Sequence, residues 1–140
     1  MSNLHKLENY CYRFDTLKTT LVNDLRELME QCQALSDTHD FIEDETYKTL
    51  PPEIVREFMW TIISALDEHR IFKRNVKVKL DTLLLINNRI KKMAKIYGLN
   101  DLLETTLNDY FLNETIKALS DEEIDRDLRK RVSKIIEELK

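Results

Sequence analysis

Three histidines, two cysteines and a scatter of carboxylates are the residues of this 140-residue chain that could do chemistry. Their spacing gives them little to work with. His5, His39 and His69 lie in separate segments, and none stands four residues from another His or a Cys, the pairing by which one helix face holds a zinc ion. No Ser or Cys sits in a nucleophile motif. His69, at the end of a helical pattern, is a weak candidate for a phosphate-accepting histidine, which would have to be exposed on a bundle face. The acidic stretch from Ser36 to Leu50, with Asp40, Glu43, Asp44 and Glu45, lacks the turn glycine of a calcium loop and is expected to be the longest loop, with room for a short helical turn around Phe41 to Tyr47. Gly98 is the single glycine, which removes phosphate-cradling loops of the Walker, dinucleotide-binding and kinase kinds. The expectation is a chain that is not an enzyme and holds no cofactor and no metal.

Cys11 and Cys32 would stand about 30 Å apart on one continuous helix, beyond the reach of a disulfide. They are expected as buried, reduced thiols, which suits a reducing compartment. No apolar run reaches the length needed to cross a bilayer, and the first ten residues lack the apolar stretch of a signal peptide, so a soluble intracellular chain is expected.

With one glycine and only two prolines, helices must do the positioning. The apolar residues Leu4, Leu7, Cys11, Phe14, Leu21, Leu25, Leu28, Cys32 and Leu35 repeat at three- and four-residue steps, interrupted at Lys18. They predict one long helix, or two broken near Asp15 and Thr16. Pro51 and Pro52 suit the start of a second helix, Glu53 to about His69, with Val55, Phe58, Met59, Ile62, Ile63 and Leu66 inward and Trp60 at the packing edge. Asn75 is a plausible cap for a third, with Val76, Leu80, Leu83, Asn87, Ile90, Ala94 and Tyr97 in a stripe. Leu84, Leu85 and Ile86 widen that stripe, as in a central helix, and Gly98 closes it. Asn87 is the polar exception; it either bonds a neighbouring backbone or lines a groove. Beyond Gly98, Asn100 or Asp101 is expected to cap a helix with Leu102, Leu103, Leu107, Tyr110 and Phe111, broken near Asn113 into a piece ending at Leu119. Ser120 to Glu123 reads as a capping box for a last helix carrying Ile124, Leu128, Val132, Ile135 and Leu139. That helix meets no stop signal before Lys140, which is expected of the N-terminal part of a longer chain. The fold class is all-α, about six to eight helices, in a single domain over residues 1–140.

The net charge of −4 hides an asymmetry. From Arg70 to Lys95, nine basic residues face one acid, Asp81, whereas from Ile96 to Asp125 eight acids face one base, Lys117. The blocks either satisfy one another across packed helices or present a basic face to an acidic or phosphorylated partner. The acidic balance of the whole chain disfavours nucleic acid.

The segment Lys79-Leu-Asp-Thr-Leu-Leu-Leu-Ile-Asn-Asn-Arg-Ile-Lys-Lys-Met93 resembles the central helix of the CTD-interacting domain family, helical modules that read the carboxy-terminal heptad repeats of RNA polymerase II. Ile54 to His69 resembles the helix that precedes it, and Phe111 and Arg129 to Leu139 fall where the family places its last helices. The likeness covers about residues 14–139. It implies a right-handed superhelical arrangement, similar to VHS and ENTH domains, and a nuclear location. It also implies a peptide groove beside Asn87, Asn88 and Lys91, with Arg126 and Arg129 as phosphate contacts. Asn87 stands where the family has a peptide-holding aspartate, and Leu84 where it has a tyrosine. These departures point to a branch that does not read the peptide: accessory subunits that join a cyclin-dependent kinase and its cyclin in transcription elongation. As an isolated domain such a chain would be monomeric, bind proteins and neither nucleic acid nor membrane. The alternatives are a phosphopeptide reader of a termination or 3'-end processing factor, a protein self-associating through the Leu4 to Leu35 seam, and a small viral or plasmid-borne inhibitor.

Overall fold

The structure is a computed structural model that describes residues 3–99 and 109–140. Four α-helices and one 3-10 turn make up those residues, and no strand occurs among them. Helix α1 spans Asn3–Glu43, the 3-10 turn Thr46–Thr49, α2 Pro52–Tyr97, α3 Asp109–Ser120 and α4 Glu123–Glu138. The all-α expectation holds; the count of six to eight does not, because pieces expected as separate helices are continuous.

Two features make α1 one helix of 41 residues. At the suspected break, the hydroxyls of Thr16, Thr19 and Thr20 donate to the carbonyls of Tyr12, Asp15 and Thr16 one turn back, so polar side chains are absorbed without opening the backbone. At the suspected loop, Leu35 and Ile42 continue the buried face and Phe41 meets Phe58 edge to face at 5.3 Å, so packing overrides the polar composition of Ser36 to Glu43. The helix ends at Glu43, and two residues on the chain turns at Glu45, a non-glycine residue with a left-handed φ of 59°.

Helix α2 begins as the prolines predict: the Pro51 carbonyl accepts from the amides of Ile54 and Val55, both at 3.0 Å. It then runs 46 residues without a stop. Asn75 is an interior residue, because no glycine or proline interrupts the chain between Pro52 and Gly98 and the buried register passes from Leu66 through His69 and Lys73 to Val76. Gly98, at φ 67°, closes the helix: its amide bonds the Lys95 carbonyl at 3.3 Å and the Leu99 amide bonds that of Ala94 at 2.8 Å, the paired bonds of a Schellman cap. The stripe is one-sided, since Leu85 is exposed, and Trp60 is 54% exposed and not part of the core.

Helix α3 passes Asn113 unbroken and ends at Ser120. The expected cap at Asn100 or Asp101 and the stripe Leu102, Leu103 and Leu107 lie outside the described residues. The expected capping box is not formed; Glu122 occupies the N-cap of α4 without a side-chain bond.

Packing divides the chain into two compact units, residues 1–26 with 75–117, and residues 27–74 with 118–140. In the first, Leu7, Phe14, Leu21 and Leu25 of α1 are buried, as are Val76, Leu80, Leu83, Ile86, Ile90 and Ala94 of α2. Lys79 bonds Asp24 at 2.6 Å and Arg89 bonds the Tyr10 hydroxyl at 3.1 Å while lying over its ring, pairings that set these parts of α1 and α2 antiparallel. In the second, one apolar cluster joins Leu35 and Ile42 of α1, Val55, Met59, Ile62 and Leu66 of α2, and Leu128, Val132, Ile135 and Ile136 of α4. Arg56 donates to the Leu139 carbonyl at 2.7 Å, a cation at the α4 C-terminus.

A β-carbon at Gly98 would meet no atom within 4 Å, so only its left-handed backbone resists substitution. Gly98→Ala should cost about 1 kcal/mol, read as a lowered urea midpoint with an unchanged slope.

Candidate functional site

The family-derived residues fall in both units. Asn87, Asn88 and Lys91 belong to the first and Arg126 and Arg129 to the second. Asn87 lies on the buried face of α2 and is only 6% exposed; its Oδ1 is buried and has no hydrogen-bond partner among the described residues. Asn88 is exposed, a third of a turn away, and Lys91 is half-buried. Arg126 is an exposed residue near Glu122 at 3.7 Å, and Arg129 bonds Asp67 at 2.6 Å. Arg126 also lines a groove of about 830 Å³ where α3 gives way to α4. There Asp121, Glu122, Glu123 and Asp127 outnumber Arg126 and Lys130, an electrostatic setting adverse to phosphate.

The second unit holds a polar cluster that sequence reasoning did not assemble. His69 is 2% exposed and Lys73 7% exposed, one turn apart on the buried register of α2. His69 Nδ1 lies 2.7 Å from Gln31 Oε1 of α1, while its Nε2 is 3.4 Å from Asp125 Oδ2 and has no hydrogen bond. Lys73 Nζ donates to Asp125 Oδ2 at 3.0 Å and to the Asp121 carbonyl at 2.8 Å. The ammonium therefore ties the start of α4 to α2, by donating to a carbonyl and a carboxylate there. Burial pushes the His69 imidazole below its ordinary value; the Asp125 carboxylate opposes this and the Lys73 ammonium adds to it. A histidine so enclosed is no phosphate acceptor. The signal available in the sequence was positional: His69 and Lys73 continue the spacing of Ile62 and Leu66.

The remaining titratable groups are similarly committed. Both cysteines are free and half-buried, and their thiols are raised, chiefly by burial, which keeps them protonated. His39, Asp40 and Glu43 bring ligand atoms within 4.8 Å of one another on α1. His39 Nε2, however, lies 2.6 Å from Asp127 Oδ2, and Arg131 lies 2.9 Å from the same carboxylate and 3.7 Å from Glu43. The His39 hydrogen bond, chiefly, lowers the Asp127 carboxyl below its usual range, and the group reads as an ion-pair network joining α1 to α4.

The most open chemistry is apolar. Trp60, Ile71, Val78, Leu85 and Ile96 of α2 are each more than half exposed. In the first unit Val78, Leu85 and Ile96 follow at steps of 7 and 11 residues, which keeps them within an arc of about 20° opposite the buried face of that stretch; Trp60 and Ile71 belong to the second unit. Sequence reasoning put Leu85 in the central stripe and Trp60 at the packing edge and did not single out Ile71 or Ile96, although the 18-residue step from Val78 to Ile96, five whole helical turns, was there to see.

No family model, curated protein or solved structure matches the chain.

Two outcomes follow from the buried polar groups. The folded state favours neutral His69, so as pH falls below about 6.5 the unfolded chain takes up its proton first and stability declines. Urea midpoints followed down to about pH 5 should fall in the wild type and fall less in His69→Gln. Asn87→Leu, which removes a buried oxygen without a partner among the described residues and puts an apolar group of similar size in its place, should raise stability by about 1 kcal/mol in the same assay.

Proposed function

We propose that the chain is a non-catalytic helical interaction domain whose binding surface is the exposed apolar row on the part of α2 in the first unit. The row is the observation that carries this reading: Val78, Leu85 and Ile96 stand in line on one helix, each mostly in water, as on a surface that another protein covers. The commitment of His39, His69, Lys73 and Asp125 to structural contacts supports a role without catalysis. The α1 seam is not the surface, because Leu7, Phe14, Leu21, Leu25, Leu28 and Leu35 are all buried within the chain itself. Association through that seam would require the chain to open.

A narrower form of the reading makes the domain an accessory subunit of a nuclear kinase complex acting on RNA polymerase II, similar to the gamma subunit of CTD kinase I. Its support is the resemblance of Lys79 to Met93. The burial of Asn87 favours that branch over a peptide reader, since an amide 6% exposed offers little to a peptide in an open groove. The unbroken course of α2 through both segments likened to successive family helices argues against taking over that family's arrangement of short helices.

Binding to a purified cyclin-dependent kinase and cyclin pair, and separately to phosphorylated heptad peptides, tests both levels. Association with the kinase pair should weaken by about tenfold or more in Leu85→Asp at unchanged circular dichroism. Micromolar peptide binding lost in Asn87→Ala would instead restore the reader.

A further inference from the structure

The charge asymmetry of the sequence sorts by compact unit. Residues 1–26 and 75–117 carry eleven basic residues against eight acids, whereas residues 27–74 and 118–140 carry eleven against eighteen. The first unit is therefore basic within a chain of net charge −4. The blocks of opposite sign do not cancel across packed helices. Among the described residues Lys73 pairs with Asp125 and Lys79 with Asp24 of α1, and no other base from Arg70 to Lys95 makes an ion pair.

In the first unit the cations left over surround the apolar row. With Val78, Leu85 and Ile96 as the reference line, Arg89 falls about 20° to one side, and Lys92 about 40° and Lys77 and Lys95 about 100° to the other. All four are exposed. Arg89 meets no carboxylate among the described residues; it donates to the Tyr10 hydroxyl and lies over that ring. Asp81 is the single acid on this part of α2, and Lys77, one turn back, screens it from an approaching carboxylate.

We propose that this face of α2, from Lys77 to Ile96, takes an acidic amphipathic helix of another protein. Apolar side chains of the partner lie along Val78, Leu85 and Ile96, and its carboxylates meet Lys77, Arg89, Lys92 and Lys95. Steps of 7 and 11 residues return a helix to one line, so a second helix follows the row over its length of about 27 Å. A bilayer fits less well, since Lys92 stands close to the line itself and Arg89 and Asp81 lie beside it, where an interfacial helix needs an unbroken apolar stripe. Three apolar anchors ringed by exposed charges make a contact of micromolar strength that weakens with salt. This inference rests on the proposed role of the row as the binding surface and names the chemistry of what covers it.

The probe is a labelled synthetic helix of about 21 residues, with leucines along one face and glutamates on the flanks, titrated with the full chain and followed by fluorescence anisotropy. Binding near about 10 µM is expected in about 50 mM salt, weakening about tenfold at about 500 mM. Lys92→Glu combined with Lys95→Glu, and separately Leu85→Asn, should each weaken it about tenfold at unchanged circular dichroism. The same peptide with lysines for its glutamates should bind the doubly exchanged chain more tightly than the wild type, a reversal that lost folding cannot produce. A glutamine version bound as tightly as the glutamate one, or glutamate binding indifferent to the two lysine exchanges, overturns the acidic partner; if Leu85→Asn still weakens that binding, the row stands as a surface. Peptide binding indifferent to Leu85→Asn overturns both readings. No peptide bound, with the kinase and cyclin pair still weakened by Leu85→Asp, overturns the acidic helix alone, as does binding to phosphatidylserine vesicles in place of the peptides.

Discussion

A chain with one glycine and two adjacent prolines has few places to turn, and that scarcity governs the whole fold. Around α1 and α2 the backbone leaves the helical region of conformation at Glu45, at Leu50 ahead of the prolines and at Gly98, and within these two helices nothing in the sequence stops a helix once its face is buried. Two helices of 41 and 46 residues follow. Helices of that length gain little from local propensity and persist because one face is covered along much of their course.

A covered face running so far along the chain collects whatever residues fall on its register, including polar ones. His69, Lys73 and Asn87 of α2 are buried for this reason. Their fates differ with their neighbours. Lys73 finds a carboxylate and a backbone carbonyl and anchors the start of α4, a contact that offsets the cost of taking an ammonium out of water. Among the described residues, His69 is satisfied on one nitrogen only and the Asn87 oxygen has no partner. The same register leaves the opposite face of α2 free, and the exposed apolar row lies there.

The helical class, the proline start, the Gly98 cap and most of the core positions were legible in the sequence because each rests on a local rule: spacing, a fixed φ, or tolerance of a left-handed residue. What was not legible depended on contacts distant in sequence. The acidic stretch after Leu35 looks like a loop until Phe41 and Ile42 find α2 and α4, and nothing local announces that Lys73 reaches across to the start of α4. Leu85 was misplaced for a different reason. As a large apolar residue it was counted toward the interior, although its position on the helix already pointed away from it.

The two compact units share a peculiarity of threading. The second is built from residues 27–74 and 118–140, with the intervening chain given to the first, and four of its ten buried apolar residues, Leu128, Val132, Ile135 and Ile136, come from the final stretch. As the polypeptide leaves the ribosome, α1 and α2 must therefore wait with half-covered faces until the last helix emerges to complete that core. A chain truncated before α4 would not be a smaller version of the same protein, and neither unit can be excised as one continuous piece.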